Sequence, residues 1–206
     1  MALLRTVEVC LTLPYALKRI ENIVHIIKTE IDDVFIIEPK VFEDDRGYFF
    51  ESYNHMQLKE SGISVNFVQD NQSFSKYGVI RGLHCQTGEH AQTKLVRAIQ
   101  GNILDVVVDI RKNSKTFGQH ITIELSDKNQ RQLFVPRGFL HGFSVLSSTA
   151  LISYKCDNYY NKDAESGVRF DDIELSIDWK IEKDKMSVSE KDLQLGRFCD
   201  VAHYGV

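Results

Sequence analysis

Arg81-Gly82-Leu83-His84 and Pro136-Arg137-Gly138-Phe139-Leu140-His141-Gly142-Phe143 are the two stretches on which the reading turns. Each sets a histidine two or three residues after a glycine, and the segment between them alternates like β-structure. That pattern predicts two histidines delivered by neighbouring strands into one barrel. With Lys94, Tyr154 and a late Asp192 within the same fold, the set has the composition of proton-transfer machinery, because histidine titrates near neutrality and both takes and returns protons.

Working outward, short apolar runs recur between turn signals: 34–37, 47–53, 65–69, 94–100, 102–110, 120–125, 132–135, 141–146 and 150–156. His120-Ile121-Thr122-Ile123-Glu124-Leu125 alternates with period two before a Ser126-Asp127-Lys128-Asn129 turn, and 102–110 carries Val106-Val107-Val108. Many short strands with glycine at the corners predict a mainly β fold, a jelly roll or other closed β-sandwich with a few short helices. The helices expected are 54–61 and 189–194.

The 206 residues, 43% apolar, suffice for one core, so one domain is expected over residues 24–206. Residues 1–23 read differently, a weakly amphipathic piece broken by Pro14. Two readings stay open: an upstream extension of a natural chain that starts at Val24, or an N-terminal helix over 15–22. The net charge of -4 with scattered basic residues argues against a nucleic-acid footprint but not against a small anionic ligand. Cys10, Cys85, Cys156 and Cys199 show no Cys-x-x-Cys spacing, which suits a reducing cytoplasm. No apolar run approaches the roughly 20 residues that span a bilayer. The stretch 9–17 is interrupted by Thr12 and Pro14, so neither signal peptide nor anchor is read.

The Pro136-x-Gly138-x-x-His141 pattern resembles the turn by which a cupin-type jelly roll presents a histidine. A cupin metal site would need a His-x-His pair, yet this chain reads His84-Cys85-Gln86 with Lys94 downstream, and an ammonium near the ion position opposes a cation. No metal or cofactor is expected.

The run 67–73 (Phe-Val-Gln-Asp-Asn-Gln-Ser), Arg81-Gly82-Leu83-His84, Lys94-Leu95-Val96-Arg97, 105–111, 135–146 and Tyr154-Lys155-Cys156-Asp157-Asn158-Tyr159-Tyr160 together resemble the dTDP-4-dehydrorhamnose 3,5-epimerases, over nearly everything after residue 24. The resemblance implies a cofactor-free isomerase of dTDP-4-keto-6-deoxyglucose in dTDP-L-rhamnose synthesis, acting as a homodimer. It implies His84 as base, Asp192 as its orienting partner, Lys94 at the enolate oxygen and Tyr154 as the donor on the other face. It also implies Arg46, Glu51, Gln69, Asp70, Asn71, Arg81, His141, Tyr160, Glu165 and Lys191 as substrate contacts, with Arg81 on the pyrophosphate and Tyr160 stacked on the thymine. Some of the nucleotide contacts would come from the neighbouring subunit. His141 would lie beside the sugar without starting the chemistry.

Plainer explanations exist residue by residue. Arg46 after two acids suits a surface ion pair at a turn, His84 a hydrogen-bonded barrel histidine, and Tyr154 a core tyrosine. Tyr159 could be the stacking ring, and 189–192 an ordinary helix start. Cys85, Leu140 and Phe170 replace the aromatic, small residue and tryptophan commonest in the family. Cys85 and Leu140 at the pocket would leave a single-position epimerase of a related 4-keto sugar open. A metal-dependent cupin oxygenase is the more distant rival.

Overall fold

The computed structural model describes residues 24–203, with side chains through residue 200. Both readings of residues 1–23 lie outside the described residues. Fourteen strands are found among those described: β1 (Val24–Lys28), β2 (Phe35–Pro39), β3 (Phe42–Asp44), β4 (Gly47–Phe49), β5 (Gln69–Lys76), β6 (Val79–Gln86), β7 (Lys94–Gln100), β8 (Asn102–Asp109), β9 (His120–Ser126), β10 (Gln132–Val135), β11 (Phe139–Val145), β12 (Thr149–Cys156), β13 (Glu165–Gly167) and β14 (Ser187–Val188). Two α-helices join them, α1 (His55–Glu60) and α2 (Glu190–Leu193). One sheet runs β1-β2-β10-β7-β12-β5 and a second β13-β6-β11-β8-β9, with β14 added parallel to β6; β3 and β4 form a separate hairpin.

The two large sheets face each other as a jelly-roll sandwich. Their inner faces share a dry core: Val96 and Ala98 of β7, Leu133 and Val135 of β10, and Ala150 and Ile152 of β12 meet Ile103 and Val107 of β8 and Phe139, Phe143 and Val145 of β11. The sandwich is also clad on both outer faces. Ile80, Leu83, Cys85, Leu104, Val106, Val108 and Leu140 on the second sheet are covered by Val168, Leu175 and Trp179. Ile37, Leu95 and Phe134 on the first are covered by Leu58 of α1 and by Ile63. Strands buried on both faces read as continuous apolar runs, which accounts for the valine triplet in β8.

Both expected helices form where side-chain caps allow. Asn54 Oδ1 accepts from the Gln57 amide at 3.2 Å, and Ser189 Oγ from the Asp192 amide at 3.1 Å. The expected strand 65–69 is displaced. Val65 and Phe67 instead pack on the outer apolar cluster, and the strand runs from Gln69 to Lys76. Its inner positions are the polar Gln69, Asn71, Ser73 and Ser75, so no apolar alternation announces it. The expected strand 47–53 likewise ends at Phe49. Among the described residues no helix is long and apolar enough to cross a membrane.

Candidate active site

Glycine brings the two histidines together. A Cβ on Gly82 would lie 2.6 Å from the Gly142 Cα and 2.8 Å from the His141 carbonyl oxygen, so β6 and β11 approach this closely only because both positions lack side chains. At this contact the ladder shifts register between His141 and Phe143, and His141 pairs directly with His84. The two rings therefore project from adjacent strands into one cavity of about 490 Å³, lined by Arg81, Lys94, Tyr154, Lys191 and Asp192 among others.

Asp192, on α2, is 4% exposed. Its Oδ1 lies 2.9 Å from His84 Nε2, and its Oδ2 accepts from the Gly82 amide at 3.2 Å. Burial pushes the Asp192 carboxyl up, but the His84 bond and charge and the Gly82 and Ser189 contacts outweigh it, and the net shift is downward. An ionised carboxylate accepts only, so the bonded Nε2 carries the hydrogen and Nδ1 of His84 is left for the cavity. His141 makes a second such pair, its Nε2 lying 2.8 Å from Oδ1 of the fully buried Asp105 on β8.

Lys94 and Tyr154 come from the opposite sheet, on β7 and β12. The Lys94 Nζ stands 5.9 Å from the centre of the Tyr154 ring. Burial lowers the Lys94 pKa, with Cys156, Cys85, Asp105 and Glu165 acting the other way. Burial raises that of Tyr154, reinforced by Cys156 and opposed by Arg81. The cavity thus holds a phenol that keeps its proton and an ammonium whose charge is costly until an anion meets it.

At the rim Glu165 accepts from the Tyr160 hydroxyl and from Lys191 Nζ, both at 2.6 Å. Arg81 Nε donates to Ser75 Oγ at 3.1 Å, and the Gln69 side-chain Nε2 donates to Asn71 Oδ1 at 3.0 Å on the inner face of β5. Tyr160 and Tyr159 are both exposed, but only the Tyr160 hydroxyl joins this network.

Three predicted contacts lie elsewhere. Asp70 alternates to the outer face of β5 and binds Lys155 Nζ at 2.8 Å, so it does not reach this cavity. Arg46, on the exposed β3–β4 turn, pairs with Asp44, the ion pair its local sequence suggests. Glu51 accepts from Asn54 and Gln57 at 2.8 and 3.2 Å.

A family model for dTDP-4-dehydrorhamnose 3,5-epimerase matches residues 28–200. A protein of that name from Methanothermobacter thermautotrophicus is 50% identical over 167 residues, covering 81% of this chain and 90% of its own. The chain belongs to the dTDP-4-dehydrorhamnose 3,5-epimerase family. The crystal structure of such an epimerase from Elizabethkingia anophelis superposes with a TM-score of 0.83 at 55% identity, covering 86% of this chain and 98% of that one. A Legionella pneumophila dTDP-6-deoxy-D-glucose-3,5-epimerase in complex with dTDP-4-keto-L-rhamnose does so with a TM-score of 0.82 at 44% identity, covering 85% and 93%.

The three residues expected to depart from the family pattern, Cys85, Leu140 and Phe170, fall outside the cavity. Cys85 and Leu140 point into the apolar cluster behind the second sheet, and Phe170 packs against that cluster. The expectation that Cys85 and Leu140 reshape the pocket is therefore not met: on their strands they face opposite to the histidines that precede or follow them. Burial also raises the Cys85 thiol to about 11, well above the range of reactive thiols. Sequence reasoning gave Asp105 no role; the signal available was one acid inside the apolar run Ile103-Leu104-Asp105-Val106-Val107.

Proposed function

We infer that the chain is a dTDP-4-dehydrorhamnose 3,5-epimerase, which inverts C3 and C5 of dTDP-4-keto-6-deoxyglucose on the way to dTDP-L-rhamnose. One observation carries the mechanism: the His84–Asp192 pair and the Tyr154 hydroxyl stand on facing sheets with Lys94 beside the phenol. Both carbons flank the same C4 ketone, so one electrophile serves both. His84 takes the proton from the carbon, and the electron pair moves into the ketone to give an enolate. The Lys94 ammonium meets the developing oxyanion, an interaction worth far more in a half-dry cavity than in water. Tyr154 then delivers a proton to the opposite face, which inverts the centre. A lone base returning its own proton would regenerate the starting configuration.

Asp192 keeps the His84 ring oriented and stabilises the imidazolium formed after abstraction. Arg81 suits the diphosphate because its planar fork matches paired oxygens. Gln69, Asn71, His141, Glu165 and Lys191 complete the contacts around sugar and nucleotide, with Tyr160 stacking on the base. Residues 24–206 act as one unit, and the free thiols Cys85, Cys156 and Cys199 fit a reducing cytoplasm.

The working form is a homodimer. Arg46 and Glu51 lie away from the cavity of their own chain, and the exposed rings of Phe42, Tyr48, Phe49 and Phe74 offer an apolar surface around the β3–β4 hairpin and β5. Arg46 and Glu51 would then reach the partner's nucleotide. Mixing inactive Arg46→Ala and His84→Asn chains tests this: regained turnover supports shared sites, and no gain with confirmed mixing excludes them.

The decisive assay is proton NMR of the protein with dTDP-4-keto-6-deoxyglucose in deuterated water. Deuterium at C3 and C5, with the rhamno product after coupling to a reductase, is the expected result. Incorporation at one carbon selects the single-position enzyme, and none at either overturns the assignment.

A further inference from the structure

The His141–Asp105 pair is built differently from the pair that holds the base. Asp105 is completely buried on β8, one of its oxygens is bonded to His141 Nε2, and the other, Oδ2, has no hydrogen-bond partner among the described residues. A buried carboxylate oxygen without a donor is costly, of the order of 1–3 kcal/mol and more for a charged group, and a purely structural acid would be expected to satisfy both. The residue also sits where an apolar side chain would extend the inner core, between Ile103 and Val107 on the same face of β8.

Two groups feel its charge. His141 lines the cavity and, among the described residues, its ring bonds only to Asp105, with His84 across the ladder. Lys94 stands over the Tyr154 ring of β12, and the groups that act on it through their charge are Cys156 of β12, Cys85 of β6, whose side chain lies on the far side of its sheet, Glu165 of β13 and Asp105 of β8. Both thiols are pushed up by burial, so they stay neutral near pH 7 and the standing negative charges on Lys94 come from Asp105 and Glu165. Glu165 is already held by Tyr160 and Lys191.

We propose that Asp105 is a positioning residue for the epimerisation, fixing His141 with Nδ1 as the acceptor offered to a sugar hydroxyl and holding a fixed negative charge that keeps Lys94 an ammonium. A carboxylate at Asp105 would accept only, which would make His141 Nε2 the donor and leave the Nδ1 lone pair to the cavity. The idle Oδ2 then serves as an uncommitted charge rather than as part of the core's hydrogen bonding. This rests on the epimerase reading, and turnover by the unaltered protein is its separate control. If that protein exchanges neither carbon, the epimerase reading fails before Asp105 is at issue.

The test is Asp105→Asn in the full chain, with solvent exchange at C3 and C5 followed against pH and with dTDP affinity measured alongside. The expected result is exchange slowed by about tenfold to a hundredfold, an alkaline limb moved to lower pH, and dTDP affinity within about twofold, as for a loss confined to the reacting end. A folded variant with unchanged rate and unmoved limb overturns the proposal. Should the variant not fold, nitrogen-15 NMR of the histidines in the unaltered protein decides: His141 protonated at Nε2 and bare at Nδ1 supports it, and the reverse tautomer overturns it.

Discussion

The two histidine–carboxylate pairs of the cavity differ in where their acids come from. Asp105 is supplied by β8, the strand next to the one bearing His141, and it is buried beneath the sheet. Asp192 is supplied from 108 residues beyond His84, by a one-turn helix whose Lys191 and Asp192 line the cavity. The His84 side chain is 28% exposed and that of His141 10%. A base that must gain and lose a proton with every turnover sits nearer solvent, with both oxygens of its partner anchored. A histidine that holds one tautomer can sit deeper against an acid anchored once. Depth and anchoring, not residue type, distinguish the base from the contact residue.

The largest effect that could break this contrast is on His84. His84→Asn is expected to slow deuterium exchange at both carbons by about 10²–10⁴-fold, the range for loss of a general base, with dTDP binding retained by calorimetry. His141→Asn should instead act mainly on KM; an equal collapse of kcat would merge the two roles. Next in size is Asp192→Asn, expected to cost about a hundredfold or more in kcat, since the partner that sets the ring's tautomer is lost. Its stability effect has a defined sign. The folded pKa of Asp192 is lowered from 3.8, so its contribution is present above that value and lost as pH falls through the lower folded one. Acid unfolding of the Asn variant should therefore be shallower over that window, by circular dichroism against pH.

Tyr154→Phe should uncouple exchange from inversion: deuterium still enters where His84 works, while the rhamno product falls away in the coupled assay. Lys94 supplies a smaller effect, read in pH. Its folded pKa is below 10.5, so the ammonium, and with it the rate, should be lost earlier on the alkaline side than for an exposed lysine. In Lys94→Arg the residual rate should persist to higher pH. The least effect on catalysis is expected from Leu140→Ala. It should destabilise by about 2–5 kcal/mol as a core truncation, measured by denaturant unfolding, yet leave the pattern of exchange at C3 and C5 unchanged because Leu140 faces away from the cavity.

Much of this was legible in the residues. The alternation of β9, the caps at Asn54 and Ser189 and the glycines beside the histidines are local signals, and each produced the element expected of it. β5 was not legible, because the face that normally carries apolar residues is polar where it lines a cavity. Asp70 lies off this cavity for a related reason. It stands between Gln69 and Asn71 in the run carried over by resemblance, and the two-residue period of a strand sends it to the other side. The separation of Arg46 and Glu51 from the cavity is beyond a single chain's pattern, since contacts made between subunits leave no periodic trace in either. Asp105 carried a signal, one acid in an apolar strand, whose meaning depends on which ring lies opposite.

The long return from β6 to α2 has a consequence for how the protein is made. During synthesis the residues of both sheets up to β13 emerge before Asp192, so the sandwich can close around its core while the base still lacks its partner. β14 then adds alongside β6, and α2 brings Asp192 to His84. The residue that orients the base is thus among the last of the site to be synthesised, and a polypeptide clipped ahead of α2 would keep the strands of both large sheets while lacking the partner of His84.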